Sequence, residues 1–303
     1  MKHYAAWGKT AGTVVSLLLL LWLLSQQPWA TLWAAIRRLS LPALVGAWML
    51  YGAGMVINAW RWHILLRGVD LPVSWWKAVR LTFAGAFASN FLPSTIGGDA
   101  LRVTGILDAA DAEKALASVV VDRALNVVAM YSFLPLTWRT YGAFLPALGR
   151  FNGAAPAGAM AWVGENKRVR AWLVRFRQAL AMWGRTPRTL AAGLAIAWLS
   201  LVPPFTATWL LAVALGIPVA WYQVAGATVL SYTAALLPVS LNGYGVREVT
   251  IVGLYTALGA TSGQALTLAV ATRFLMMLVT LIGAPWVSNA IPGKHPPEND
   301  SGD

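Results

Sequence analysis

The 303-residue chain is 58% hydrophobic and 11% charged, with 23 Lys and Arg against 11 Asp and Glu for a net charge of +12. Soluble domains carry roughly 25% charged residues, so these proportions exclude a soluble globular class and point to an all-α, polytopic integral membrane protein. The lack of Cys excludes a disulfide framework or thiolate metal site, and His3, His63 and His295 are too scattered for a histidine cluster, so neither metal nor cofactor is expected.

The first apolar segment, Thr10 to Ser25, follows Lys2 and Lys9. No small-x-small cleavage site comes after it, and further apolar segments do, so it reads as a retained helix rather than a signal peptide. The second span is Leu41 to Trp60, with Asn58, Arg61 and His63 at its end, where an arginine is expected to snorkel to the interface. Ala115 to Thr137, Leu190 to Leu215 and Gln264 to Val287 also reach the roughly 17 to 25 residues a crossing helix needs. Trp75 to Leu92 and Trp221 to Leu237 are near the minimum, and Val246 to Leu258 falls short of it. Six to eight membrane helices follow, some of them broken or re-entrant. The 17 Trp, scattered near predicted helix ends, read as an interfacial belt.

Between Arg139 and Arg188 stand nine Lys or Arg and one acid, Glu165. Such an excess marks a cytoplasmic connector and explains the basicity without nucleic acid. Within it Val169, Trp172, Leu173, Phe176, Leu180 and Trp183 share one helical face flanked by Arg168, Arg170, Arg175 and Arg177, the layout of a helix lying in the membrane interface.

The chain repeats itself. Leu92-Pro93, Gly98 and Arg102 recur as Leu237-Pro238, Gly243 and Arg247, each displaced by 145 residues; LPVSWW at 71–76 matches IPVAWY at 217–222, and Arg123 pairs with Arg273. Residues 1–290 thus form a single transmembrane domain, with repeat one at about 41–137, the connector at 139–188 and repeat two at about 189–290, ahead of a polar tail, 291–303. Internal repeats in membrane proteins often mark transporters with pseudo-two-fold halves. If Trp75 to Leu92 crosses fully, the halves are inverted and the basic connector is inside; if it dips and returns, they are parallel and the connector is outside. The positive-inside bias favours inversion.

Pro93 with Gly97 and Gly98, and Pro238 with Asn242, Gly243 and Gly245, read as helix breaks within the apolar region. Non-helical backbone is tolerated there only against protein or a wet cavity. A helix restarting after each break would aim free N–H groups at an anion, and Arg102 and Arg247 follow one turn later. With Arg123 and Arg273 inside apolar runs, the expected ligand is phosphate-bearing. The acids do not repeat: Asp99 corresponds to Tyr244, Asp122 to Thr272, and Glu248 to Val103. Asp99, Asp122 and Glu248 are candidates for ion pairing or proton coupling, and Asp99 is also placed to cap a helix starting at Ala100, which leaves its role open between the two. Asn90 and Asn126 either line the same cavity or bond between helices.

LP-x3-GGD-x2-R at 92–102 followed by DR at 122–123, together with LP-x3-NG-x-G-x-RE ending at Glu248, resembles the lysylphosphatidylglycerol synthase transmembrane-domain family. The resemblance covers about residues 10–290 and implies a stand-alone, flippase-like protein of the bacterial inner membrane, with Pro93, Gly97, Gly98, Asp99, Arg102, Asp122, Arg123, Asn242, Gly243, Gly245, Arg247 and Glu248 at the matching positions. Some relatives carry a soluble lipid-aminoacylating domain; a chain ending at 303 leaves no room for one. The expected function is transbilayer movement of an anionic or polyprenyl-linked lipid. Three other readings stand beside it: a non-transporting scaffold for a lipid, hopanoid or glycan biosynthesis enzyme, a small-anion permease, and a lipid-modifying membrane enzyme. The last is disfavoured because neither His3 nor His63 has a nucleophile or acid in a fixed motif. No Walker-type glycine loop ending in Lys-Ser or Lys-Thr is present, so movement is expected to be downhill or proton-coupled.

Overall fold

The computed structural model describes residues 37, 39–90, 95–141, 167–235 and 246–287. The first predicted helix, Pro93, Pro238, Asn242, Gly243, Gly245 and the polar tail lie outside the described residues. The described elements are α1 (Leu41–Arg67), α2 (Trp75–Ser89), α3 (Thr95–Thr104), α4 (Ala112–Tyr131), α5 (Leu134–Tyr141), α6 (Lys167–Gly184), α7 (Pro187–Ala214), α8 (Trp221–Ala235), α9 (Val246–Ala257) and α10 (Ser262–Thr280), which runs on into a 3-10 turn, Leu281–Trp286.

Length and composition sort these helices. Among the described residues, four stretches are long and apolar enough to cross a bilayer: α1, α4 continued to Thr137, α7, and α10 with its 3-10 turn. By contrast, the 15 residues of α2 and α8 rise about 22 Å at 1.5 Å per residue, short of a hydrocarbon core of about 30 Å. Neither is long enough to cross by itself, and each packs against the short helix that follows it, α3 on α2 and α9 on α8.

For the first hairpin the return is explicit. Lys77 at the start of α2 bonds Asp108 just beyond α3; Leu81 lies against Gly105, and Gly85 against Gly98 and Arg102. A Cβ on Gly98 would lie 2.2 Å from the Gly85 carbonyl oxygen, so glycine at this crossing lets the two backbones touch. Gly97 and Gly98 thus sit inside α3, which starts at Thr95, rather than in a break as the sequence suggested.

The two long helices that open the predicted repeats, α1 and α7, pack along their whole length and run antiparallel. Gly68 meets Thr189, Leu65 meets Gly193, Gly54 meets Ser200 and Pro204, and the Tyr51 hydroxyl bonds Thr208 Oγ1 at 2.8 Å. The turns after them are built alike. Leu71 N donates to Leu66 O and Ile217 N to Ala212 O, both at 3.0 Å, and Asp70 and Gly216 hold positive φ of 58° and 73° at equivalent places. The hairpin α2–α3 follows from one end of the bundle. The hairpin α8–α9 follows from the other, where Gln264 near the start of α10 donates to Leu215 O at the end of α7.

A dip-and-return segment was expected to make the halves parallel, yet they are opposed. Among the described residues each half contains two long apolar helices and one pair of short ones, and the first half ends at the opposite end from the one where α6 begins the approach to the second. Tyr141 bonds Gln223 O at the α8 entrance, while α6 packs against the start of α4 and the end of α1.

The two ends differ in charge. One carries Arg67, Lys77, Lys114, Arg175, Arg185 and Arg188 with Asp108, Asp111 and Glu113; the other has Arg37 and Arg139, while its turns at 215–220 and 258–261 contain no charged residue. The positive-inside rule favours the more basic end, which holds α6, as the cytoplasmic one. There, the apolar face of α6 lies on protein instead of lipid: Phe176, Ala179, Leu180 and Trp183 join a core with Trp62, Leu65 and Ile106, and Trp183 Nε1 donates to Leu65 O at 3.0 Å.

Candidate functional site

Asp122 lies ten residues into α4, about 15 Å from its cytoplasmic start and so near mid-membrane. It is buried, and two arginines clasp it: Arg61 Nε to Oδ1 at 2.7 Å and Arg102 Nη2 to Oδ2 at 2.9 Å. Arg61 also donates to Asn58 Oδ1 at 2.7 Å, Asn126 Oδ1 at 3.0 Å and Ser200 Oγ at 3.4 Å, so its fork spans α1, α4 and α7. The guanidinium of Arg102 lies 4.2 Å from the centre of the Trp62 ring, a cation–π contact that supplies charge stabilisation where water is scarce.

Asp99 faces the same cluster from α3. It bonds Arg123 Nε and lies 3.8 Å from Arg102 Nη1. Because α3 starts four residues earlier than Asp99, this carboxylate is a mid-helix ion-pair partner and not the cap of a helix beginning at Ala100. Three arginines thus face two carboxylates. The Arg123 side chain is 41% exposed, which makes it the accessible cation of the cluster.

In the second half, Arg273 stands eleven residues into α10, about 16 Å along it. It donates through Nε to Glu248 Oε1 of α9 at 3.1 Å. Arg247 has no carboxylate partner among the described residues: both terminal nitrogens face Met276 Sδ at 3.9 Å, and its buried Nε has no acceptor. Its ionisable neighbours are Arg273, Tyr51, Glu248 and Tyr232, of which Glu248 is hydrogen-bonded to Arg273. Two arginines here face one carboxylate.

A family model described as the lysylphosphatidylglycerol synthase TM region matches residues 10–283. The chain belongs to that family. It is also 30% identical over 132 residues to a UPF0104 membrane protein of Pyrococcus horikoshii, an alignment covering 41% of this chain and 38% of the relative, so the chain spans well under half of that protein's length.

In this member of the lysylphosphatidylglycerol synthase TM family, all four predicted arginines meet charged or polar partners from another helix or face the core, as do Asp99, Asp122 and Glu248. Asn126 belongs to the first cluster, whereas Asn90 ties α2 to Thr280 at 2.8 Å. A separate groove of about 420 Å³, lined by Val56, Ile57, Trp60, His63 and Trp75, holds none of the arginines. The sequence reading missed Arg61, expected to snorkel but only 1% exposed, and with it Asn58, Trp62 and Ser200. The signal was there: Asn58 and Arg61 at i, i+3 and Asp122 and Asn126 at i, i+4 put polar groups on single faces of apolar helices. Ending the span at Trp60 hid it, because α1 runs on to Arg67 and leaves Arg61 well inside.

Proposed function

We propose that this membrane protein carries an anionic, phosphate-bearing lipid or polyprenyl-linked lipid between the leaflets of a bacterial inner membrane. Arg102, Arg123, Arg247 and Arg273 act as headgroup ligands, and the hydrocarbon tails remain in the bilayer. The observation that supports this reading is a pair of half-sites, one beside each hairpin, in each of which arginines outnumber carboxylates among the described residues. An uncompensated arginine at mid-helix costs roughly 2.5 to 3.5 kcal/mol even on the mildest insertion scale, and a diffusible phosphate offsets it only while bound. Such a pair of half-sites offers a headgroup one stopping point from each leaflet. Arg61 serves as the fixed counter-ion of Asp122, leaving Arg102 to exchange carboxylate for phosphate.

The test is translocation of fluorescent phosphatidylglycerol in proteoliposomes containing the purified chain. Wild type should move it, and Arg102→Ala and Arg247→Ala should each lower the rate at least tenfold while eluting as folded protein. Undiminished movement in both variants overturns the arginine mechanism. Failure of wild type to move any anionic lipid favours the accessory-scaffold role.

A further inference from the structure

The two clusters are built on matching helices but are not in the same state. In the first half the carboxylate of Asp122 lies between Arg61 and Arg102, buried, making a bond of 2.7 Å to one and 2.9 Å to the other. Two oxygens of one tetrahedral phosphate can bind two guanidinium groups in the same fashion. The second half lacks both parts of this arrangement. The position of Asp122 is taken by Thr272, and that of Arg61, displaced by 146 residues along α7, is taken by Ala207. The Thr272 hydroxyl is spent on its own helix, donating to Ala269 O at 2.9 Å. Met276, one turn further on the same face, offers Arg247 a thioether sulfur at 3.9 Å, a weak acceptor for a full positive charge.

We infer that Asp122 is an internal stand-in for the ligand's phosphate, so that the first half is self-occupied and the Arg247 half is the resting binding site for one phosphate group. The inference rests on the lipid-carrying reading and narrows it to one half of the molecule. The occupant is a phosphate mono- or diester, because the site offers a guanidinium to which no carboxylate among the described residues is hydrogen-bonded, beside a second, Arg273, whose Nε is held by Glu248. A lipid headgroup and free inorganic phosphate share that chemistry. Moving the anion from the Arg247 half to the Arg102 half then requires displacement of Asp122 from Arg102. Arg61 retains Asp122 during that exchange through Nε, while its other nitrogens stay on Asn58 and Asn126.

The experiment exchanges the stand-in between halves. Full-length protein in detergent is titrated with phosphatidylglycerol, phosphatidylcholine and inorganic phosphate, and bound lipid is counted by native mass spectrometry alongside a thermal melt. Wild type should retain one phosphatidylglycerol. Thr272→Asp, which gives Arg247 a carboxylate, should weaken that binding at least tenfold while raising the melting temperature; Thr272→Asn, of the same shape without charge, should retain it. Asp122→Asn should bind a second phosphatidylglycerol. Should Asp122→Asn not fold, the opposed effects of Thr272→Asp on melting and binding still decide the matter. Competition by millimolar inorganic phosphate identifies the headgroup phosphate as the recognised element, and its failure to compete identifies the intact lipid. Lipid binding that survives Thr272→Asp but is lost in Arg102→Ala overturns the assignment to the second half while leaving anion carriage intact. No retention of phosphatidylglycerol over phosphatidylcholine by any variant overturns both.

Discussion

Arg61→Ala offers the sharpest test of what holds the two halves together. Arg61 is 1% exposed and bonds three side chains on other helices, Asp122 and Asn126 of α4 and Ser200 of α7, besides Asn58 of its own. Truncation deletes the 2.7 Å ion pair, strands two amide oxygens and leaves Asp122 with Arg102 as its one partner. Removing one member of a buried pair typically costs about 3 to 5 kcal/mol, and Arg102 retains part of the neutralisation, so about 3 kcal/mol is expected. Arg61→Lys restores the charge without the planar fork and should recover about half of the loss. Reversible unfolding in mixed micelles, followed by tryptophan fluorescence, reads both variants, and the cycle with Asp122→Asn should show coupling of about 1 to 3 kcal/mol. An Arg61→Ala protein within about 1 kcal/mol of wild type, or a cycle that is additive, would refute the idea that this cluster ties α1, α4 and α7.

Three further outcomes follow from the geometry. Gly98→Ala introduces a Cβ 2.2 Å from the Gly85 carbonyl oxygen, which cannot rotate away; the α2–α3 hairpin must open, with a loss of about 1 to 3 kcal/mol in the same unfolding assay and weaker lipid transport. Gly216→Ala has room, its nearest neighbour being Gln264 Nε2 at 3.8 Å, but holds φ at +73°, so a loss of about 1 kcal/mol should appear there, while Asp70→Gly at the matching turn should be neutral or stabilising. Outside the membrane, the hydrogen bond from Lys77 holds the Asp108 carboxyl below its ordinary range. A depressed folded-state value means that the contribution is present above pH of about 4 and lost as pH falls further. Both side chains are substantially exposed, which limits the contribution to under about 1 kcal/mol, and Asp108→Asn should match wild-type stability once the pH is taken below that window.

The crossing helices were legible because twenty apolar residues in a row have few other uses, and the repeat was legible because Pro, Gly and Arg recur at fixed spacing. Depth was not. Whether Trp75 to Leu92 crosses or returns depends on Gly85 and Gly98 allowing a backbone contact, which is not visible as hydropathy. Arg61 was misread for a related reason: the length of a helix that is tilted or continues beyond the bilayer is set by packing against its neighbour, here the 28-residue α7, not by the thickness of the hydrocarbon. Asp99 stayed open between cap and ion pair because the helical restart was placed at the glycines; α3 begins before them, which leaves the ion pair with Arg123.

The unequal acids make sense only in three dimensions. Along the sequence Asp99 has Tyr244 opposite it and Glu248 has Val103, as though the ion pairs had nothing in common. In space each acid comes from the short returning helix of its hairpin and meets the arginine of the crossing helix that follows, Asp99 with Arg123 and Glu248 with Arg273. Asp99 precedes Arg102 by three residues and Glu248 follows Arg247 by one, so the same pairing between helices is reached from different positions on α3 and α9. What is kept is a neutralised arginine that fixes the returning helix to the crossing one. What differs is the other arginine of each half, matched by Asp122 in the first and by no carboxylate among the described residues in the second. A carrier with identical half-sites would hold its ligand equally at both; under the proposed lipid-carrying function, the extra acid of the first half would give the two a difference in affinity, and with it a reason for the ligand to occupy one before the other.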